Sequence, residues 1–445
     1  MQQDRTLLFE ETPIPKAVAT LAVPTILSSL VMVLYNLADT YFVGMLNDPI
    51  QNAAVTLAAP VMLAFNAVNN LFGVGSSSRA LGRRDYDTVA KSSTFGFWCA
   101  ILSGLAFSLL CTLFKGPLLG LLGADATTRT ATEAYMFWTV TCGAAPAILN
   151  VVMAYMVRSE GSAMHASIGT MSGCFLNIIL DPIFIFGLDL GISGAAIATL
   201  LSQCVSASIL ASFFLRGQSE IRVSIRCVST APKIYLTIFK SGMPSFFRQG
   251  MASVSAMALN FNAGVYGDAA VAAMAIVTKV FNFLLSAVIG FGQGMQPVVG
   301  YNYGAKELGR VRQAVSFSLK FCTVILTVAA AAGAVFAPQI VQFFRNDPAV
   351  VAVGTQAFRF QCISLPLAAV LVFANMLFQS LGKSWRASLL ALCRQGMFFI
   401  PLVYLLPMHF GLLGLEVTQM CSDLIAFLVS AAFLLHYFRR EFDRV

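Results

Sequence analysis

The chain has 445 residues, 58% of them hydrophobic and only 11% charged. Soluble domains carry roughly a quarter charged residues, so this composition excludes a water-soluble fold and leaves a membrane protein. The formal net charge of +8 does not mark a nucleic-acid surface, because the basic residues gather where apolar runs end.

Residues 1–15 are polar, with Asp4, Glu10 and Glu11, lack the pattern of a cleavable leader, and read as a cytoplasmic tail. Twelve apolar stretches follow, at about 16–45, 53–79, 88–114, 131–155, 163–187, 191–215, 233–265, 269–300, 312–337, 350–378, 386–407 and 413–438. Each is long enough to cross a bilayer. The long polar interior stretch, 216–232, contains Gln218, Glu220, Arg222, Arg226 and Pro232 and reads as a cytoplasmic linker, with 439–445 as a second tail. Arg79, Arg83, Arg84, Lys91, Arg158, Arg216, Lys306, Arg310, Lys383 and Arg386 fall at ends reached after even-numbered spans. Lys115, Arg129, Arg345 and Arg359 fall on the other side. Cytoplasmic loops carry the excess of Lys and Arg, which places both termini in the cytoplasm and the chain in the cell membrane. The ten cysteines are scattered without a CxxC pair, as packing residues are.

Landmarks recur at one offset. Pro24 and Pro244, Gly44 and Gly264, Pro146 and Pro366, and the pairs Gly191/Gly194 and Gly411/Gly414 each differ by 220. The chain is therefore a tandem duplication, with an N-lobe over 16–215 and a C-lobe over 233–438. An even number of spans in each copy makes both enter from the same side, related by an axis along the membrane normal. The expected fold is all-α: a polytopic membrane protein with twelve transmembrane helices in two pseudo-symmetric six-helix lobes around a central cleft. Pro24 lies inside span 1 and is the expected hinge.

A charge near the bilayer centre costs roughly 2.5–3.5 kcal/mol, so each one needs a reason. Asp39 in span 1 and Asp181 in span 5 both lie about 9 Å in from the outer end, and Thr199 in span 6 about 12 Å. Asn177 and Tyr35 each stand one turn deeper than their aspartate. Two carboxylates withdrawn from water rarely both stay ionised, so such a pair can hold a proton; with the oxygens of Asn177 and Thr199 it can also hold sodium. Capping or stapling of neighbouring helices is the alternative, and Asp181 precedes Pro182. The matched depth of two acids favours function.

The C-lobe carries cations instead: Arg248, Lys279 and Arg394, with Glu416 and Asp423 in span 12 as candidate partners. They either order the lobe by internal pairing or line a substrate cleft that accepts an anionic or zwitterionic group; Asn150 in span 4 is a further cleft candidate. Enzymatic readings find no support. His165, His409 and His436 are scattered, and there is neither an acidic diphosphate motif nor a GxxxxGK[ST] loop.

With Pro24, Tyr35 and Asp39, the run Asn177-Ile-Ile-Leu-Asp181-Pro182, Thr199, and the stretch Gln296-Pro-Val-Val-Gly-Tyr-Asn-Tyr-Gly-Ala-Lys306, the chain resembles the multidrug and toxic compound extrusion (MATE) transporters, in particular their archaeal and DNA-damage-inducible branch. The resemblance implies a secondary antiporter exporting organic, cationic or amphipathic compounds against protons or sodium. It makes Asp39, Asn177, Asp181 and Thr199 the coupling site, with no cofactor and no other metal. The expected partners are the lipid bilayer and small organic substrates, without nucleic acid, and the expected state is a monomer. The chain departs from the family's other branch, which has further carboxylates in spans 7 and 10; Arg248, Gln249, Asn375 and Gln379 are found there instead. A flippase for a lipid-linked or anionic substrate is the alternative, which the cationic C-lobe would suit.

Overall fold

The long runs are apolar around most of the helix circumference, and a bilayer offers no water to backbone groups. Each run must therefore close its own hydrogen bonds as a helix. The computed structural model describes residues 7–46, 48–73, 77–124, 126–217, 219 and 232–442, and no strand occurs among them. Spans 1 to 3 are Ile14–Gly44, Pro49–Gly73 and Tyr86–Leu113. Span 4 is Arg129–Ser159 in two pieces, span 5 is Ala163–Gly187 and span 6 is Gly191–Leu215. Spans 7 to 9 are Pro232–Gly264, Asp268–Gly304 and Leu308–Val335. Spans 10 to 12 are Pro348–Ser380, Ser384–Phe410 and Leu412–Phe442. Among the described residues, ten are long and apolar enough to cross a membrane unaided, and the bent span 4 makes an eleventh. Span 7 is as long but carries Lys233, Lys240 and Arg248. Contacts divide the chain into two compact units, Met1–Thr12 with Thr20–Gly242, and Pro13–Ala19 with Met243–Val445.

In the first unit the breaks have local causes. Span 4 runs as a regular helix over Arg129–Met136, loosens into a π turn over Phe137–Cys142, and resumes at Ala144 bent by 44°. Pro146 lies in the first turn of the resumed helix, where no backbone donor is required. Span 5 is regular to Pro182 and closes in a second π turn, Ile183–Gly187. Span 6 packs directly on that turn, because Gly194 has no side chain: a Cβ there would lie 2.6 Å from the Phe184 carbonyl oxygen. Span 1, in contrast, is one unbroken helix through Pro24. The Thr25 hydroxyl donates to the carbonyls of Leu21 and Ala22 at 3.0 and 2.9 Å.

The second unit repeats the plan with different devices. Span 10 breaks at Pro366 in a short 3-10 turn, Leu365–Leu367, and span 11 carries a π turn at Cys393–Met397. Gly414 mirrors Gly194, with a Cβ position 2.2 Å from the Leu406 carbonyl oxygen. Span 10 is the enclosed axis of this unit: Phe373, Ala374, Leu377 and Phe378 are all buried completely. The stretch that begins at Gln296 ties helices together. Gln296 donates to Gln379 of span 10 at 3.2 Å, and Gln379 donates to Ser245 of span 7 at 2.9 Å. Six residues on, Asn302 accepts from Arg310 of span 9 at 3.0 Å.

The duplication reaches backbone detail. Arg84 and Lys306 both adopt left-handed φ, 58° and 66°, in the loops after spans 2 and 8. The residue that follows each, Asp85 or Glu307, starts the next span. Asp85 accepts from the backbone N–H and the hydroxyl of Thr88 at 3.0 and 2.6 Å, and these bonds hold its carboxyl below the usual carboxylate range.

Candidate cation-coupling site

Three spans of the first unit bring the polar residues together. Asp181 and Asn177 are fully enclosed, at 0% and 1% exposed, while Asp39, Tyr35 and Thr199 are half-buried. Asn177 donates its amide N–H to Asp181 Oδ2 at 3.0 Å, and its oxygen accepts from the backbone N–H and hydroxyl of Thr199, both at 3.2 Å. The Tyr35 side chain stands beside Thr199. A hydrogen-bonded chain therefore runs from span 6 to the acid on span 5, Thr199, Asn177, Asp181, with Tyr35 of span 1 beside its first member. Asp39 stands one turn from Tyr35, within electrostatic reach of Asp181.

The site contains a residue that sequence reasoning missed. Tyr135, in the first piece of span 4, lies within electrostatic reach of both Asp39 and Asp181. A tyrosine near a span end reads as an interfacial anchor. Only the bend of span 4 reveals its inward position.

An apolar cap covers the site toward the turns that join spans 1 and 2 and spans 5 and 6. Val43 is one turn beyond Asp39, Ile185 one turn beyond Asp181, and Ala195 one turn outward of Thr199. These three pack with Ala54 and Ile192 into one buried cluster, with Tyr135 against it. Gln51 fastens the end of span 6, accepting from the Ile192 N–H at 2.8 Å and donating to Asp48 at 2.9 Å.

Asn150 does not join this layer. Its amide donates to Gln203 at 2.7 Å, one turn and roughly 6 Å further along span 6 than Thr199. Its own oxygen is buried without a hydrogen-bond partner. In the second unit Arg394 pairs with Asp423 at 2.9 Å, Arg248 is half-buried, and Glu416 is buried. Lys279 is exposed, on the face of span 8 opposite the enclosed Met274, Val277 and Phe281.

The family model MatE matches this chain twice, over residues 24–183 and 244–405, one match per repeat. The chain belongs to the MatE family. That is a transporter family, not an enzyme family, and its members are multi-pass membrane proteins. Among curated relatives, the multidrug export protein MepA of Staphylococcus aureus is 30% identical over 99% of this chain and 97% of its own length. MepA of Staphylococcus saprophyticus is likewise 30% identical over the same shares. Among solved structures, a MATE transporter in complex with MaL6 has a TM-score of 0.91 at 26% identity, covering 98% of both chains. A MATE transporter described as in the bent conformation has a TM-score of 0.89 at 26% identity, covering 98% of this chain and 97% of its own.

Proposed function

We propose that this MatE-family protein is a secondary antiporter of the cell membrane, with both termini cytoplasmic, exporting amphipathic organic compounds against a cation taken up at Asp39 and Asp181. The observation that carries the reading is the enclosed Asp181, whose described hydrogen-bond partner is a neutral amide. A carboxylate cannot stay ionised and unpaired away from water, so a mobile positive charge has to be exchanged there. Relatives named as multidrug export proteins support the substrate class.

The geometry favours a proton over sodium. Asn177 presents its N–H to Asp181, while its oxygen is held by the backbone N–H of Thr199. A sodium ion on Asp181 would need that oxygen turned toward it. Binding of the cation changes the charge between spans 1, 5 and 6 and so shifts the balance between two conformations, as it must if it is to drive transport. Pro24 gives span 1 its bending point, in keeping with a relative solved in a bent conformation.

The lipid-linked alternative drew on three C-lobe cations, and the pairing of Arg394 with Asp423 removes one from that set. Reconstituted vesicles with pH and sodium gradients imposed separately test the assignment. Efflux of a lipophilic cation such as tetraphenylphosphonium should follow the pH gradient and be lost in Asp39→Asn and Asp181→Asn. Efflux that persists in either variant refutes the coupling site, and efflux driven by sodium alone refutes the preference for a proton.

A further inference from the structure

The 220-residue offset also aligns the two polar centres. It sets Gln419 at the place of Thr199 and Asp423 at the place of Gln203, while Leu259 and Pro401 stand where the first copy has Asp39 and Asp181. The second copy thus lacks both acids of the first and has gained another, one helical turn along span 12.

Asp423 is fully buried. Its Oδ1 accepts from Arg394 Nε and from Gln419 Nε2, each at 2.9 Å, and the Ser364 hydroxyl is 3.4 Å from Oδ2. Arg394 is itself fixed by its backbone. The π turn Cys393–Met397 leaves carbonyls that a regular helix would pair; Ser422 donates to Arg394 O at 2.7 Å, and Ser255 donates to Gln395 O. The guanidinium carbon lies 5.7 Å from the Phe281 ring centroid. Spans 7, 8, 10 and 12 therefore converge on one positive charge carried by span 11.

We infer that Arg394 is a built-in cation, doing permanently for Asp423 what an exchangeable cation does for the aspartate pair of the first lobe, so that the second lobe adds no ion to the exchange. This rests on the reading of Asp39 and Asp181 as the coupling site. An enclosed carboxylate requires a positive partner. In the second lobe that partner is a guanidinium covalently attached to span 11, so it cannot leave the site. Removal of the guanidinium should convert Asp423 into a site that takes up a proton or sodium.

Few other charges face this centre. Glu416 is two turns from Asp423 on span 12, and Arg248 is two turns from Ser255 on span 7. Lys279 is two residues from Phe281, hence on another side of span 8. On span 10, Arg359 is exposed and donates to the Ala334 carbonyl.

The test uses full-length protein carrying Asp39→Asn and Asp181→Asn, so that the first-lobe acids are silent in every sample. Melting temperature is followed from pH 9 to pH 5, and in sodium chloride against choline chloride. Adding Arg394→Gln should lower it at pH 9 in choline, and acid or sodium should then restore about 4 °C or more. Adding Asp423→Asn as well should abolish that restoration. An Arg394→Gln penalty that is the same in every condition overturns the inference. Should Arg394→Gln alone not fold, the Arg394→Gln/Asp423→Asn pair still decides. It should fold and melt near the parent, and failure to do so shows that the guanidinium does more than cancel a charge. Failure of the coupling assignment is a separate result, read from efflux in Asp39→Asn and Asp181→Asn.

Discussion

In the first lobe Asp181 is met by an amide that is itself held by a hydroxyl, with a phenol beside them; in the second, Asp423 is met by a guanidinium on a π turn. Both acids are fully enclosed and both centres draw on several spans, yet they answer the cost of a buried charge in opposite ways. A neutral setting leaves the acid needing an external positive charge, and so makes it responsive. A fixed counter-charge satisfies the acid and makes it inert. Duplication supplied two similar scaffolds, and side-chain chemistry divided their roles.

The largest effect should come from removing the responsive acids. Asp39→Asn and Asp181→Asn keep the size and polarity of the site but not its charge, and gradient-driven efflux should fall by about 100-fold or more in vesicles with normal protein content. Breaking the inert pair should act on stability instead. Arg394→Met in the otherwise wild-type chain leaves Asp423 without its partner and should cost about 3 kcal/mol near neutral pH, read by denaturation of purified protein. If Arg394→Met lowers efflux with no loss of stability, the division of roles is wrong.

Much of this contrast was legible in the sequence, and the rest was hidden for a physical reason. Prolines and glycines at one offset revealed the duplication, and the structure gives Gly194 and Gly414 a reason, since each stands against a carbonyl oxygen that leaves no room for a side chain. Asp39, Asn177, Asp181 and Thr199 stood out because polar side chains at that depth are costly. A helix that is apolar on every side does not reveal which face turns inward. The exposure of Lys279 on span 8 and the Gln203 partner of Asn150 could be read only from the structure. π turns rotate everything beyond them without leaving a periodic trace, which hid the placement of Tyr135 and the way spans 7 and 12 fasten Arg394.

Smaller effects sharpen the comparison at matched positions. Gly414→Ala and Gly194→Ala should each destabilise their lobe by about 1–3 kcal/mol, since the added methyl meets a backbone oxygen. Gly414→Ala should be the worse, because its approach is the closer, 2.2 against 2.6 Å. The smallest is Asp85→Ala, which removes a helix cap and should cost about 1 kcal/mol at pH 7. The folded carboxyl of Asp85 titrates below 3.8, so its contribution is present above that pH and is lost as the pH falls through the lowered value. Thermal denaturation at pH 7 and pH 3 checks both the size and the sign.

The most direct measurement is proton release on substrate binding, made with purified protein in weakly buffered solution. If the first-lobe aspartates exchange a proton for the exported compound, binding of tetraphenylphosphonium must expel protons in the wild type, about one per substrate bound, by the reciprocity of linked equilibria. Asp39→Asn or Asp181→Asn should suppress the release. Undiminished release in both variants would contradict the account.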